Sequence, residues 1–120
     1  MKTYRELIVW QKAMSLVLKL YAETKFWPKE EVYGLTSQIR RCAVSVPSNI
    51  AEGYGRNSTG DYIRFLQIAS GSLYEFQTQF EISFRLNYLS EEKYIEINSL
   101  SIIIEKMLSS LISKVKNSQK

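Results

Sequence analysis

Apolar positions along this chain recur at helical spacing in four successive blocks, and no stretch shows the strict alternation that marks a strand. The first block predicts a helix from about Leu7 to Lys25. Trp10, Ala13, Met14, Val17 and Tyr21 fall on one stripe; Val9, Leu16 and Leu20 widen it on one side, Leu7 and Leu18 on the other. At about 100° per residue the apolar arc spans roughly 200°, about twice a minimal core-facing stripe. Lys12, Ser15, Lys19 and Glu23 hold what remains. A helix so patterned buries two sides, one inside its own bundle and one against something else. Pro28 then disfavours helix at Trp27 and ends it.

The second block begins between Tyr33 and Thr36. Leu35, Ile39, Ala43, Val46 and Ile50 step by four, four, three and four, and the phase is unbroken across Pro47. A chain that turned at Pro47 would slip phase, so the pattern predicts a kinked but continuous helix. The proline removes one hydrogen bond and crowds the Ala43 carbonyl, at a cost of about 3 kcal/mol that tertiary packing must offset. The segment GYGRNSTG is the next bend, its glycines serving turn geometry. Ser58 is placed to cap a third helix, with Asp61 three residues on. That helix runs to about Asn87, with Phe65, Ala69, Leu73, Phe76, Phe80 and Phe84 as its stripe. Within it Gly71 costs helix stability, which predicts close approach of another helix there. Ser90 caps a fourth helix, whose stripe includes Tyr94, Ile97, Ile104, Leu111 and Val115. Lys114, Lys116 and Lys120 lie at its end, where the helix dipole favours cations. Four helices with short connections predict an all-α, up-down antiparallel four-helix bundle, one domain over residues 1–120.

Composition narrows the chemistry. The apolar fraction of 45% suits a packed core, and neither a repeat nor a linker divides the chain. The chain has no histidine and one cysteine, Cys42. The commonest general base and metal ligand are therefore missing, and no internal disulfide can form. The first residues lack the pattern of a signal peptide, and no apolar run is long enough for a bilayer, so a cytoplasmic protein without a membrane partner is expected. Sixteen basic against twelve acidic residues give a net charge of +4, which permits a nucleic-acid partner without demanding one.

Candidate sites are few. On the second helix Arg41, Ser45, Ser48 and Glu52 share a polar face, while Arg40, Val44, Pro47 and Ala51 share another. Arg41 with two hydroxyls is suited to a phosphate, though phosphate sites usually gather more donors, and an ordinary surface cation is the simpler reading. Glu52 either sits unfavourably at a helix end or pairs with Arg56 at i,i+4. Gly53, Gly55 and Gly60 lack the spacing and the Lys-Ser or Lys-Thr of a phosphate loop. Glu52, Glu75 and Glu81 lack the histidines of a di-iron bundle. Trp10, Trp27, Tyr33, Tyr54 and Tyr62 offer surfaces for base stacking, but such aromatics more often pack cores or subunit interfaces. No catalytic residue, metal site or cofactor is expected. The candidate nucleic-acid contacts are Arg40, Arg41, Arg56, Lys114 and Lys116; the candidate packing residues are Trp10, Leu16, Leu20, Pro47, Asn49 and Glu52.

Four strings, LIVWQKA (7–13), YGLTSQIRR (33–41), SVPSNIAEGYGR (45–56) and FLQIASGSLYE (65–75), resemble a bacterial family encoded by intervening sequences within large-subunit ribosomal RNA genes. The accessory variability proteins of diversity-generating retroelements are related to that family. The resemblance implies a four-helix bundle assembled into a ring-like homopentamer, without enzyme activity. For the retroelement relatives it implies a basic surface that binds nucleic acid, RNA or DNA, and a reverse-transcriptase partner. A ring of bundles would account for the surplus apolar surface of the first helix and for the thin, proline-bearing middle of the second. It would also multiply +4 per chain to about +20, enough to attract a polyanion. The alternative is a structural or protein-interaction module in which the arginines serve solubility and salt bridges.

Overall fold

The computed structural model describes residues 2–118. Its four long helices are α1 (Ile8–Thr24), α2 (Leu35–Tyr54), α3 (Thr59–Arg85) and α4 (Glu91–Asn117), with single 3₁₀ turns at Tyr4–Glu6 and Lys29–Glu31. No strand occurs among the described residues. Helix α1 packs on α2 and α4, and α3 packs on α2 and α4, the α2–α3 interface being the most extensive. Short connections reverse the chain each time, so neighbours run antiparallel in a body of 49 × 25 × 22 Å. The start of α1 therefore shares one end of the bundle with the last turns of α2 and α4 and the first turn of α3.

Both predicted serine caps are present. Ser58 Oγ accepts from the Asp61 N–H at 3.1 Å, and Ser90 Oγ accepts from the Lys93 N–H at 3.2 Å. Each satisfies one of the orphan donors of a first helical turn. Asn87, φ 64°, turns the chain between α3 and α4 in the left-handed region that asparagine tolerates. The glycines behave differently from expectation. None has a positive φ, so turn geometry does not explain them. Gly53 instead lets α2 and α3 approach: a Cβ there would lie 2.8 Å from Phe65 Cβ. Gly71, where close approach was expected, has nothing within 4 Å of a built Cβ.

The core settles which stripe of α1 faces inward. Val9, Ala13, Leu16 and Leu20 are buried, with Thr24 continuing their line, whereas Met14 and Tyr21 of the central predicted stripe are exposed. The α2 stripe is as expected, with Ile39, Ala43, Val46 and Ile50 fully buried and Leu35 half-buried. Helix α2 runs unbroken through Pro47. Around it Ser48 Oγ donates to the Val44 carbonyl and Asn49 Nδ2 to the Ser45 carbonyl, each at 2.8 Å, the local back-bonding that polar side chains offer a helix. An aromatic stack, Phe76–Phe80–Tyr94–Phe84, fills the α3–α4 seam with centroid spacings of 5.2, 5.4 and 4.4 Å.

Candidate nucleic-acid interface

The five candidate cations fall into two groups. Arg56, Lys114 and Lys116 lie at the end formed by the starts of α1 and α3. Arg40 and Arg41, in the first half of α2, lie toward the opposite end beside the last turns of α1. In the first group Arg56 Nη2 pairs with Glu52 Oε1 at 2.9 Å, and its guanidinium sits 4.6 Å from the Phe65 ring centre. This is the i,i+4 pair that Glu52 was expected to make if α2 continued past it. Arg64, 3.8 Å from Asp61, covers the same Phe65 ring at 4.6 Å. Arg5 lies over both rings of the edge-packed Tyr4–Trp10 pair. Lys114 and Lys116 are exposed and enter no ion pair among the described residues. Lys120 lies outside the described residues.

The charge is unequally shared between the ends. Divided at the midpoint of each helix, the described residues of this end carry eight basic side chains against four acidic, a net of +4. The other end carries seven basic against eight acidic, a net of −1. Sequence order hides this, because residues 2–12, 52–64 and 105–116 become neighbours only when the helices reverse.

The second group is more firmly held. Arg40 Nε donates to Thr24 Oγ1 at 2.8 Å and Nη2 to the Tyr21 carbonyl at 3.4 Å, with the guanidinium 4.3 Å from the Tyr21 ring centre. Arg41 is exposed between two clefts. One of them, about 550 Å³ between α2 and α3, holds Ser45 and Ser72 with hydroxyls 2.8 Å apart, and Asn49 Nδ2 donates to Ser45 Oγ. Cys42 lines it too. Burial, and next the hydrogen bond and charge of Glu75, push this thiol up to about 11, so it is a neutral thiol and not a nucleophile at neutral pH. Nor does any group of His, Cys, Asp and Glu among the described residues have the arrangement of a metal site.

Of the packing candidates, Leu16 and Leu20 are fully buried inside the bundle. Trp10 and Pro47 line a shallow apolar groove of about 330 Å³ between α1 and α2, with Met14, Val17, Val44 and Ala51. Asn49 is half-buried beside the Ser45–Ser72 cleft and Glu52 is exposed. No helix among the described residues is long and apolar enough to cross a membrane.

The described residues form a four-helix bundle with one basic end and an apolar groove on its flank. The profile of the family described as 23S rRNA-intervening sequence protein matches residues 5–110, and the chain belongs to that family. A crystal structure of a protein of unknown function from the S23 ribosomal protein family of Bacteroides thetaiotaomicron is similar in sequence and fold. It shares 29% identity and a TM-score of 0.82, with 88% of this chain and 98% of that one covered. No curated protein matches the sequence.

Proposed function

We propose that this chain is a non-enzymatic, homo-oligomeric protein that binds nucleic acid, RNA in the first instance, through the basic end of its bundle. The observation that supports the reading is the charge difference between the ends, +4 against −1, with Lys114 and Lys116 exposed and unpaired among the described residues. In a ring whose axis keeps these ends together, the basic ends add into a belt, and a polyanion binding it releases condensed counterions. Assembly is argued from apolar surface. Leu18, Met14 and Tyr21 of α1 are exposed in the isolated chain and Met14 lines the Trp10–Pro47 groove, while Ile8 is exposed on the side toward α4. In this reading Pro47 bends α2 and shapes the groove for a neighbouring copy, five copies closing a ring. The free Cys42 suits a reducing, cytoplasmic setting.

The test is fluorescence anisotropy with a structured RNA across a salt titration. Affinity should fall steeply with salt, and the double variant Lys114→Gln/Lys116→Gln should flatten the slope, each lost phosphate contact lowering it by about 0.7–0.9. Absence of binding at low salt, or an affinity indifferent to salt, refutes the RNA reading. Sedimentation separately tests assembly, a pentamer mass being expected at micromolar concentration and a lone folded chain refuting the ring. A second reading, a module that docks a protein such as a reverse-transcriptase-like partner, has its own support in Tyr33 and Phe26, 98% and 84% exposed. Stoichiometric recovery of one protein after nuclease treatment would favour it.

A further inference from the structure

A second cavity, about 530 Å³, opens where the last turn of α1 and the Trp27–Val32 connection meet the first half of α2. We propose that it binds a terminal diphosphate or triphosphate group, as carried by a free nucleotide or by the 5′ end of a nucleic-acid strand. The proposal does not rest on the RNA reading above, which concerns the opposite end of the bundle.

The walls supply four cations, Lys25, Lys29, Arg40 and Arg41, and no acid. This corner does hold acids, but they are turned elsewhere. Glu31 accepts from Tyr88 Oη at 2.6 Å and from the Leu35 N–H at 3.1 Å, and Glu23 accepts from Trp27 Nε1 at 3.3 Å. Neither they nor Glu30 line the cavity. Arg40 is locked in place by Thr24 and Tyr21. Those two hydrogen bonds leave its Nη1 free among the described residues, so a donor is pre-positioned without further loss of side-chain freedom.

Thr36 provides the independent observation. Four polar residues are buried among the described residues: Thr24, Thr36, Ser83 and Ser101. The hydroxyls of Thr24, Ser83 and Ser101 each donate to a backbone carbonyl, at 2.9, 2.9 and 2.7 Å. Thr36, only 6% exposed and lining the cavity, has no hydrogen bond from its hydroxyl among the described residues. Among the described residues Gln79 Oε1 alone is a fully buried side-chain oxygen or nitrogen without a partner, so the Thr36 hydroxyl still reaches solvent and is a donor available to a ligand in the cavity. Among the described residues the Thr36 and Ser37 N–H groups also have no acceptor, since the backbone hydrogen bonds of α2 begin with Gln38 N–H to the Gly34 carbonyl. The lining cations and the Thr36 hydroxyl can all donate, and four cations with no acid select a multiply charged oxyanion, for which the volume admits more than one phosphoryl group.

Calorimetric titration of the full chain with sodium pyrophosphate tests this. Saturable binding is expected, weakened about tenfold in Arg41→Gln and in Lys29→Gln, the size of one lost charge-assisted hydrogen bond. Thr36→Val should weaken it as well while keeping the fold, checked by circular dichroism. Lys114→Gln/Lys116→Gln should bind pyrophosphate as the parent does, even where it loses RNA. ATP and a 5′-triphosphorylated oligonucleotide are then used as competitors, with the 5′-hydroxyl oligonucleotide as control. Displacement by ATP assigns a free nucleotide, and displacement by the triphosphorylated strand alone assigns a strand end. No binding at millimolar pyrophosphate overturns the proposal. So does equal weakening by the Lys114/Lys116 variant, or pyrophosphate binding that neither competitor displaces.

Discussion

Replacing Gly53 by alanine sets two known effects against each other at one position. Alanine gains about 1 kcal/mol over glycine inside a helix. Against that, the new methyl would lie 2.8 Å from Phe65 Cβ, 3.1 Å from Tyr62 Cδ1 and 3.3 Å from the Tyr62 carbonyl oxygen. Carbon atoms in contact prefer about 3.5–4.0 Å, so a separation of roughly 1 Å must be found. Tyr62 can rotate its ring, but Phe65 Cβ is fixed to the α3 backbone and the Tyr62 oxygen belongs to it. The helices themselves must part, at the most extensive interface of the bundle, where Val46, Ile50, Leu66 and Ala69 are fully buried. Overpacking of this kind costs about 1–3 kcal/mol, and a backbone obstacle places this site in the upper half of that range. The net expectation is a destabilisation of about 1–2 kcal/mol, a fall of roughly 4–8 °C in melting temperature for a chain of this length. Thermal and urea unfolding followed by circular dichroism, at fixed chain concentration, measure it. Gly71→Ala is the companion variant, exposed and with nothing within 4 Å, and should gain up to about 1 kcal/mol. A Gly53→Ala protein as stable as the parent would refute the claim that this glycine exists for close approach.

Other consequences follow from single contacts. Ser90→Ala removes the α4 cap and should cost about 1 kcal/mol, read as a lowered urea midpoint; an unchanged midpoint would deny the cap any energetic role. Cys42, held up to about 11, carries about a hundredfold less thiolate than an ordinary cysteine at pH 8, so iodoacetamide should alkylate the folded chain at least that much more slowly than the urea-unfolded one. Equal rates would show that the thiol is open. Glu31 is held below the usual carboxylate value, first by the Tyr88 hydroxyl and then by the Leu35 N–H. A depressed acid stabilises the fold above its unfolded value, and that stability is lost as pH falls through the folded one. Glu31→Gln should therefore flatten the loss of stability between about pH 5 and pH 3, and an identical acid limb in the variant would exclude this contact as its source.

Four helices, their caps and most of their core stripes were legible in the sequence, because helical periodicity and Ser-initiated turns are local physics written within a few residues. The α2 phase across Pro47 is the clearest case: Ile39, Ala43, Val46 and Ile50 are all buried, as their spacing required. Where one helix offered two apolar faces, spacing had no means to choose between them. In α1 the line Val9–Ala13–Leu16–Leu20 faces the core and Met14 and Tyr21 do not, a choice made by the partners α2 and α4. The two glycines were likewise indistinguishable by composition, since only the approach of α3 makes Gly53 necessary and leaves Gly71 free. Charge shows the same division most plainly. The sequence determined a modest +4 and the candidate cations, but a sum along a chain carries no direction. Antiparallel packing decided that residues from both termini and the α2–α3 bend share one basic end, and that Lys25 and Lys29 meet Arg40, Arg41 and Thr36 around one cavity. Coulomb fields and ligand sites depend on distances in space, and those exist only after the helices have packed.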